Sequence, residues 1–317
     1  MYRSHLVSYP VPSNITYHWN MGFLLLISII VQLLSGILLT LHYTSNTEYA
    51  WLSVLYILRE VYYGWCISYI HSNGATVVML FVYTHIAKYM YYNGVSNITS
   101  LTNVWYSGLT MFLLLMCICF LGYVCIWGQM SYWGCTVILN LLSTIPNMTM
   151  MINGAYTCSS DMLLRFFIFH FILPFIVLVL SITHFYYLHY SGSSTSISLP
   201  TTSISSFSMT ILLKDITTLC LLLGVYTLLT GIGITTIIHP NNYLPINILS
   251  TPLSIVPEWY YLPYYAILKS IPNNICGYIL FCASITCILT TVSNTSNIST
   301  TNTTTGKETI INTAKRK

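Results

Sequence analysis

Two stretches decide how this chain is read: HSNGATVVMLFVYTH at residues 71–85 and HFILPFIVLVLSITH at residues 170–184. Both are free of Asp, Glu, Lys and Arg, and in each the terminal histidines stand 14 residues apart. On an α-helix, 14 residues rise about 21 Å and turn about 1400°, four turns less roughly 40°. The two imidazoles of each stretch therefore share nearly one face, at two depths in a hydrocarbon layer about 30 Å thick.

The composition around them agrees with that setting. Of 317 residues, 55% are hydrophobic and 5% charged, against roughly 25% charged in soluble domains. Several runs of about 20 or more residues are nearly free of charge, which marks membrane-spanning helices. The expected fold is an all-α membrane protein with about six transmembrane helices: A at 21–43, B at 64–92, C at 104–125, D at 164–190, E at 211–238 and F at 275–293. Segments 48–62 and 131–146 read as helices lying at the surface or folded back into the membrane. Residues 252–272, rich in proline and aromatics, make a third structured connection. The Ser/Thr-rich 191–208 reads as a linker, and the polar tail from about 294 as disordered. The organisation is then a four-helix bundle (spans A–D) over 1–200, spans E and F with their loop over 201–293, and the tail over 294–317. Residues 1–20 are polar and precede a full-length span, so no cleavable signal is expected.

Six spans put both termini on one side, with Arg3, Lys88, Lys214, Lys307, Lys315, Arg316 and Lys317, against Arg59, Arg165 and Lys269 opposite. That bias places the termini on the negative side. The ten cysteines are scattered, with no C-x-x-C-H motif, so a haem would be held non-covalently. Each cysteine alone reads as a small buried apolar residue.

Only span C separates B from D, so B and D run in the same direction. His71 then meets His170 at one depth, and His85 meets His184 at the other. Two bis-histidine sites stacked across the bilayer follow. Imidazole on both axial positions of a haem gives six-coordinate iron suited to electron transfer. A lone intramembrane histidine is as often a hydrogen-bonding residue between helices, but two pairs of identical spacing on parallel helices are hard to obtain without a cofactor. Zinc wants three or four converging ligands rather than two facing pairs. Gly22 and Gly36 on span A, and Gly108 and Gly122 on span C, repeat the 14-residue interval. Glycines in spans commonly mean close helix packing. At the histidine period on the intervening helices they read as clearance for a flat macrocycle.

These residues, and four motifs beside them, resemble the mitochondrial cytochrome b family over about 19–273. The motifs are His71-Ser72-Asn73-Gly74-Ala75, Trp127-Gly128-Gln129-Met130-Ser131-Tyr132-Trp133-Gly134, Arg165-Phe166-Phe167 leading into His170-Phe171-Ile172-Leu173-Pro174, and Pro257-Glu258-Trp259-Tyr260 followed by Tyr265-Ala266-Ile267-Leu268-Lys269-Ser270-Ile271-Pro272. The plastid relatives typically space the second histidine pair by 15 residues and divide the chain after span D, so the mitochondrial or bacterial type fits better. The resemblance implies the core subunit of a quinol:cytochrome c oxidoreductase (complex III) in the mitochondrial inner membrane, termini in the matrix. Implied with it are two non-covalent haem b groups and ubiquinone/ubiquinol as substrate. Partners would be an iron–sulfur protein, a c-type cytochrome, other complex subunits and a second copy, in a lipid bilayer with no nucleic acid.

By the same resemblance Glu258, beside Pro257, takes a proton from quinol on the positive side, with Tyr265 lining the pocket and Gly134 leaving room for the ring. A carboxylate in apolar surroundings can exchange a proton, although an isolated interfacial glutamate is more often a solvated charge. On the negative side His189, Asp215 and Ser193 are implied contacts of the quinone being reduced; an Asp in a first helical turn otherwise serves the helix dipole. The chain departs from the family in four places. Ser68 replaces an arginine expected at a haem propionate, and Lys88 replaces an arginine, keeping charge but not the bidentate fork. Cys125-Ile126 stands for Leu-Pro, and two further spans expected after F are absent from the sequence. Two rivals remain: a di-haem quinone-reducing anchor subunit, which needs no Pro-Glu-Trp-Tyr loop, and a transporter whose histidines relay protons.

Overall fold

The computed structural model describes residues 7–93, 102–143, 145–155, 157–193, 204–231 and 239–299. Helices carry the architecture: α1 (Met21–Thr40), α2 (Ala50–Arg59), α3 (Gly64–Asn93), α4 (Thr102–Cys125), α5 (Gln129–Leu142), α6 (Met148–Asn153), α7 (Ser160–Ser191), α8 (Phe207–Gly231), α9 (Leu262–Ser270) and α10 (Asn274–Ser299). Spans A to D appear as α1, α3, α4 and α7, and the three expected connections hold α2, α5 and α9. Apolar residues surround these helices on every side because in lipid only the backbone needs internal satisfaction.

Local chemistry sets the helix ends. The Ser159 hydroxyl accepts from the Met162 amide at 3.3 Å and caps α7, with Asp161 in its first turn. The helix thus starts four residues before the expected 164. Pro174 lies inside α7 and lacks the N–H that would reach the carbonyl of His170. Between α4 and α5 the chain turns through Trp127 at φ 58° and re-enters helix at Gln129.

Among the described residues, five helical stretches are long and apolar enough to cross a membrane: Tyr17–Thr40, Gly64–Tyr92, Thr102–Cys125, Ser160–Ser191 and Ile211–Gly231. The sixth expected span is also a helix, α10, apolar over Asn274–Ile288. The polar Asn/Thr/Ser composition expected to begin the tail at 294 enters the helix itself, which continues to Ser299. Residues 300–317, with the rest of the tail, lie outside the described residues, as do 232–238 of span E.

Two closely packed helix pairs, α1 with α3 and α4 with α7, form the bundle. Helix α8 lies against α3 and α1, while α10 packs on α9 and touches α4. A core of Ile29, Met79, Val82, Phe112, Leu115 and Val177 fills the centre between the pairs. Leu34, Val179 and Ile182 point outward, as lipid-facing residues do.

One element departs from the all-helical expectation. Within the segment read as a linker, Ile204–Ser206 pairs antiparallel with Pro10–Pro12, forming strands β2 and β1. Pro10 and Pro12 break any helical pattern at the N-terminus, and a two-stranded pairing 196 residues apart (Pro10 with Ser206 at the first step) leaves no local sequence signal. Helix α8 consequently begins at Phe207, four residues before the expected 211, with the Phe207 amide donating to Tyr9 O at 2.9 Å.

Candidate functional site

The bundle brings the four histidines together as two facing pairs. His71 on α3 opposes His170 on α7 with ring centres 6.1 Å apart and planes at 90°. His85 and His184, on the same helices, stand 6.4 Å apart at 60°. Two imidazoles binding one metal ion from opposite sides, at metal–nitrogen distances of about 2 Å, separate their ring centres by roughly 6 Å. Both pairs fit that geometry.

Hydrogen bonds aim the rings. The Ser35 hydroxyl donates to Val31 O at 2.8 Å, so its oxygen is free to accept from His71 Nδ1 at 3.1 Å. Ser107 does the same, donating to Asn103 O at 2.8 Å and lying 2.9 Å from His184 Nδ1. His170 Nδ1 donates to Ile118 O at 2.9 Å. A proton held on Nδ1 leaves the Nε2 lone pair for a metal. Ser35 and Ser107 were missed in the sequence, although each immediately precedes one of the period-14 glycines, a Ser-Gly repeat that could have flagged them.

The glycines lie behind the rings. A Cβ on Gly122 would come within 2.5 Å of His170 Cε1, on Gly36 within 3.0 Å of His71 Cε1, and on Gly108 within 3.1 Å of His184 Cε1. At Gly22 the distance to His85 Cε1 is 3.5 Å, an ordinary contact. Each glycine therefore makes room for an imidazole on the helix packed against its own. The Lys88 ammonium sits 4.3 Å from the Trp19 ring centre.

At the His71 end a cavity of about 300 Å³ is lined by His71, His170, Gly36, Gly122, Ser68 and Glu258. Tyr123 and Asn242 also line it, and the Tyr123 hydroxyl and Asn242 Nδ2 are buried without a hydrogen-bond partner among the described residues. Buried donors are rarely left unpaired. Whatever fills this cavity must bring acceptor atoms, as a haem with carboxylate arms or a quinone does. The residues present fit the group.

Glu258 sits at the start of a 3-10 turn, Trp259–Tyr261, that is fastened to two spans. Tyr83 on α3 donates to Tyr260 O at 2.7 Å, and Tyr261 donates to Met116 O on α4 at 2.6 Å. Burial pushes the Glu258 carboxyl up to about 7, because removal from water disfavours the charged form. Pro257, Tyr265 and Gly134 do not line this cavity. Open space lies beside Gly134, where an added Cβ would meet nothing within 4 Å, and Tyr265 has the Lys269 ammonium 5.8 Å from its ring centre.

A second fastening was invisible in the sequence. Asn242 Oδ1 accepts from the Ser131 amide at 2.9 Å, Gln129 Nε2 donates to Ser250 O at 2.8 Å, and Gln129 Oε1 accepts from the Asn247 amide at 2.7 Å. These bonds join α5 to the loop before Glu258.

At the His85 end, Asp215 is 5% exposed and accepts from Asn20 Nδ2 at 2.6 Å. Lys214 donates to Ile15 O. The His189 ring stacks on Tyr9, centres 4.1 Å apart. The segment from Tyr9 to Asn20 therefore touches both implied quinone residues, and Ser193 lies half-buried just past α7.

As a class, a membrane bundle that opposes imidazoles at two depths and sets a half-buried carboxyl beside one pair is a redox scaffold for flat metal macrocycles. Residues 6–192 match the family described as cytochrome b/b6/petB, and residues 245–311 match the one described as cytochrome b(C-terminal)/b6/petD. The chain belongs to the cytochrome b family, whose members bind haem b. It is 42% identical over 293 residues to cytochrome b of Vanderwaltozyma polyspora, covering 90% of this chain and 75% of that one. With cytochrome b of Plasmodium vivax the identity is 41% over 283 residues, covering 89% and 73%. Among solved structures, a chain of a hyperthermophilic respiratory complex III superposes with a TM-score of 0.84 at 29% identity, covering 91% of this chain and 78% of that one.

Proposed function

We propose that the chain is the core subunit of a quinol:cytochrome c oxidoreductase, oxidising quinol on the positive side of the mitochondrial inner membrane and reducing quinone on the negative side. The observation that carries this reading is that Glu258 and the His71/His170 pair line one cavity. Two haem b groups, held between His71 and His170 and between His85 and His184, supply one-electron carriers at two depths when bound.

Glu258 accepts a proton from a quinol hydroxyl and releases it to the positive side. Tyr83 and Tyr261 hold its loop still, so the carboxylate loses little freedom on binding substrate. The space beside Gly134 admits the quinol ring, and Tyr265 borders it. On the negative side Asp215, oriented by Asn20, hands a proton to quinone, with His189 and Ser193 holding its oxygens. Both termini then lie in the matrix. An iron–sulfur protein and a c-type cytochrome are the expected partners, in a dimer of the whole complex.

The test is Glu258→Gln in the intact complex. Loss of a positioned proton acceptor slows a step by about 100-fold or more. Quinol oxidation should fall by that order while the reduced-minus-oxidised spectrum still shows two b-type haems. Unchanged turnover would remove Glu258 from the proton path.

A further inference from the structure

A sulfur cluster lies outside the machinery described so far. Cys158, half-buried just before the Ser159 cap of α7, has its Sγ 4.0 Å from Sγ of Cys135 inside α5. Cys135 is fully buried, and its Sγ lies 3.8 Å from Sδ of Met162, one turn into α7. The two cysteines are 23 residues apart and fall on either side of α6. Nothing in their spacing suggests a pair.

The geometry points to Cys135 and Cys158 as a peroxide-oxidisable dithiol whose closure to a disulfide slows quinol oxidation. The regulatory half of this inference rests on the quinol-oxidation reading above; the chemical half does not.

The two thiols are unequal in the way such a pair requires. Cys158 is the accessible one, and its contact with the Cys135 sulfur holds its thiol below its ordinary value. It also stands at the N-terminus of α7, where the helix dipole favours an anion. Cys135 is shielded, and its contact with Cys158 together with burial pushes its thiol up. A half-buried thiol that reaches solvent beside a fully buried one is the arrangement of an attacking and a resolving cysteine.

The chemistry balances without help from the rest of the protein. The Cys158 thiolate attacks one oxygen of hydrogen peroxide, breaking the O–O bond. Cys158 becomes a sulfenic acid, and hydroxide leaves to take up a proton as water. The Cys135 sulfur then attacks the sulfenic sulfur, forming the Sγ–Sγ bond and releasing the second water with the Cys135 proton. Two thiols lose two electrons and one peroxide gains them.

Closure has a mechanical consequence. A disulfide needs its sulfurs at about 2.05 Å, so the pair must approach by roughly 2 Å. Cys135 is the neighbour of Gly134 and shares α5 with Gln129 and Ser131, which fasten the loop before Glu258. Drawing α5 toward α7 displaces that fastening. A misplacement of about 1 Å in a reacting constellation can cost on the order of 100-fold in rate.

The experiment treats the purified complex with hydrogen peroxide, alkylates remaining thiols, and searches digests for a peptide joining residues 135 and 158. The expected result is that cross-link, with a tenfold or greater fall in quinol oxidation that dithiothreitol reverses. Cys158→Ser should lose the cross-link and most of the peroxide sensitivity while its untreated turnover and haem spectrum stay as in the parent. Cys135→Ala serves as the second variant, should Cys158→Ser assemble poorly. Both thiols alkylating fully after peroxide would overturn the inference. A cross-link with undiminished turnover would overturn the control of quinol oxidation. If Glu258→Gln leaves turnover unchanged, the function reading fails while the cross-linked peptide still reports on the dithiol.

Discussion

At the scale of single residues, the glycines and Glu258 make the sharpest tests. The four glycines share a period but not a clearance, so they predict different outcomes. Gly122→Ala forces a Cβ to 2.5 Å from His170, and overpacking of this kind typically costs about 1–3 kcal/mol. The expected result is loss of the haem at His71/His170, seen as half the b-type absorbance of the parent complex. Gly22→Ala, at 3.5 Å from His85, should keep both haems. Glu258 makes a pH prediction. It must be ionised to accept a proton, and its carboxyl titrates at about 7, so quinol oxidation should climb as pH rises through 7. Glu258→Gln should flatten that limb of the profile. The stability linkage runs the other way: the folded-state value lies above the ordinary 4.5, so the stability contributed by the protonated group is complete below 4.5 and is lost as pH rises through 7. Histidine spacing and the glycine period were legible because a helix converts sequence interval into direction. Ser35, Ser107 and Asn242 were not, because their partners are set by helix packing.

At the scale of elements, the loop before Glu258 and helix α5 act as one unit. Ser131 is fully buried, and Asn242 supplies the acceptor for its amide. Asn242→Ala leaves that amide unpaired, which costs about 1–3 kcal/mol. The expected outcome is earlier thermal release of the haem at His71/His170, followed by its absorbance, with the His85/His184 haem released as in the parent. The sequence indicated that α5 and the Pro-Glu-Trp-Tyr turn were structured, through their aromatics and prolines. It did not indicate that they were joined, since Gln129 and Ser250 are 121 residues apart. The short ribbon of β1 and β2 escaped notice for the same reason.

At the scale of the whole molecule, the two ends of the histidine column are chemically separate. Glu258 shares a cavity with His71 and His170, whereas Asp215 is bonded to Asn20, two residues before the glycine behind His85. Asp215→Asn should therefore slow quinone reduction by about tenfold or more, measured as steady-state turnover. The first turnover of quinol oxidation, followed by stopped flow, should be unaffected; equal losses in both would show the ends to be coupled. The sequence by itself determined the membrane class, the helical course of the spans and the pairing of His71 with His170 and His85 with His184. Those follow from hydropathy and from a fixed rise and turn per residue, which are local properties of the chain. Only the tertiary structure decided that the glycines back the imidazoles, that Asn242 fastens α5 to the glutamate loop, and that Cys135 meets Cys158. Those contacts join residues far apart in the chain, and their geometry depends on how helix pairs pack, which no interval in the sequence encodes.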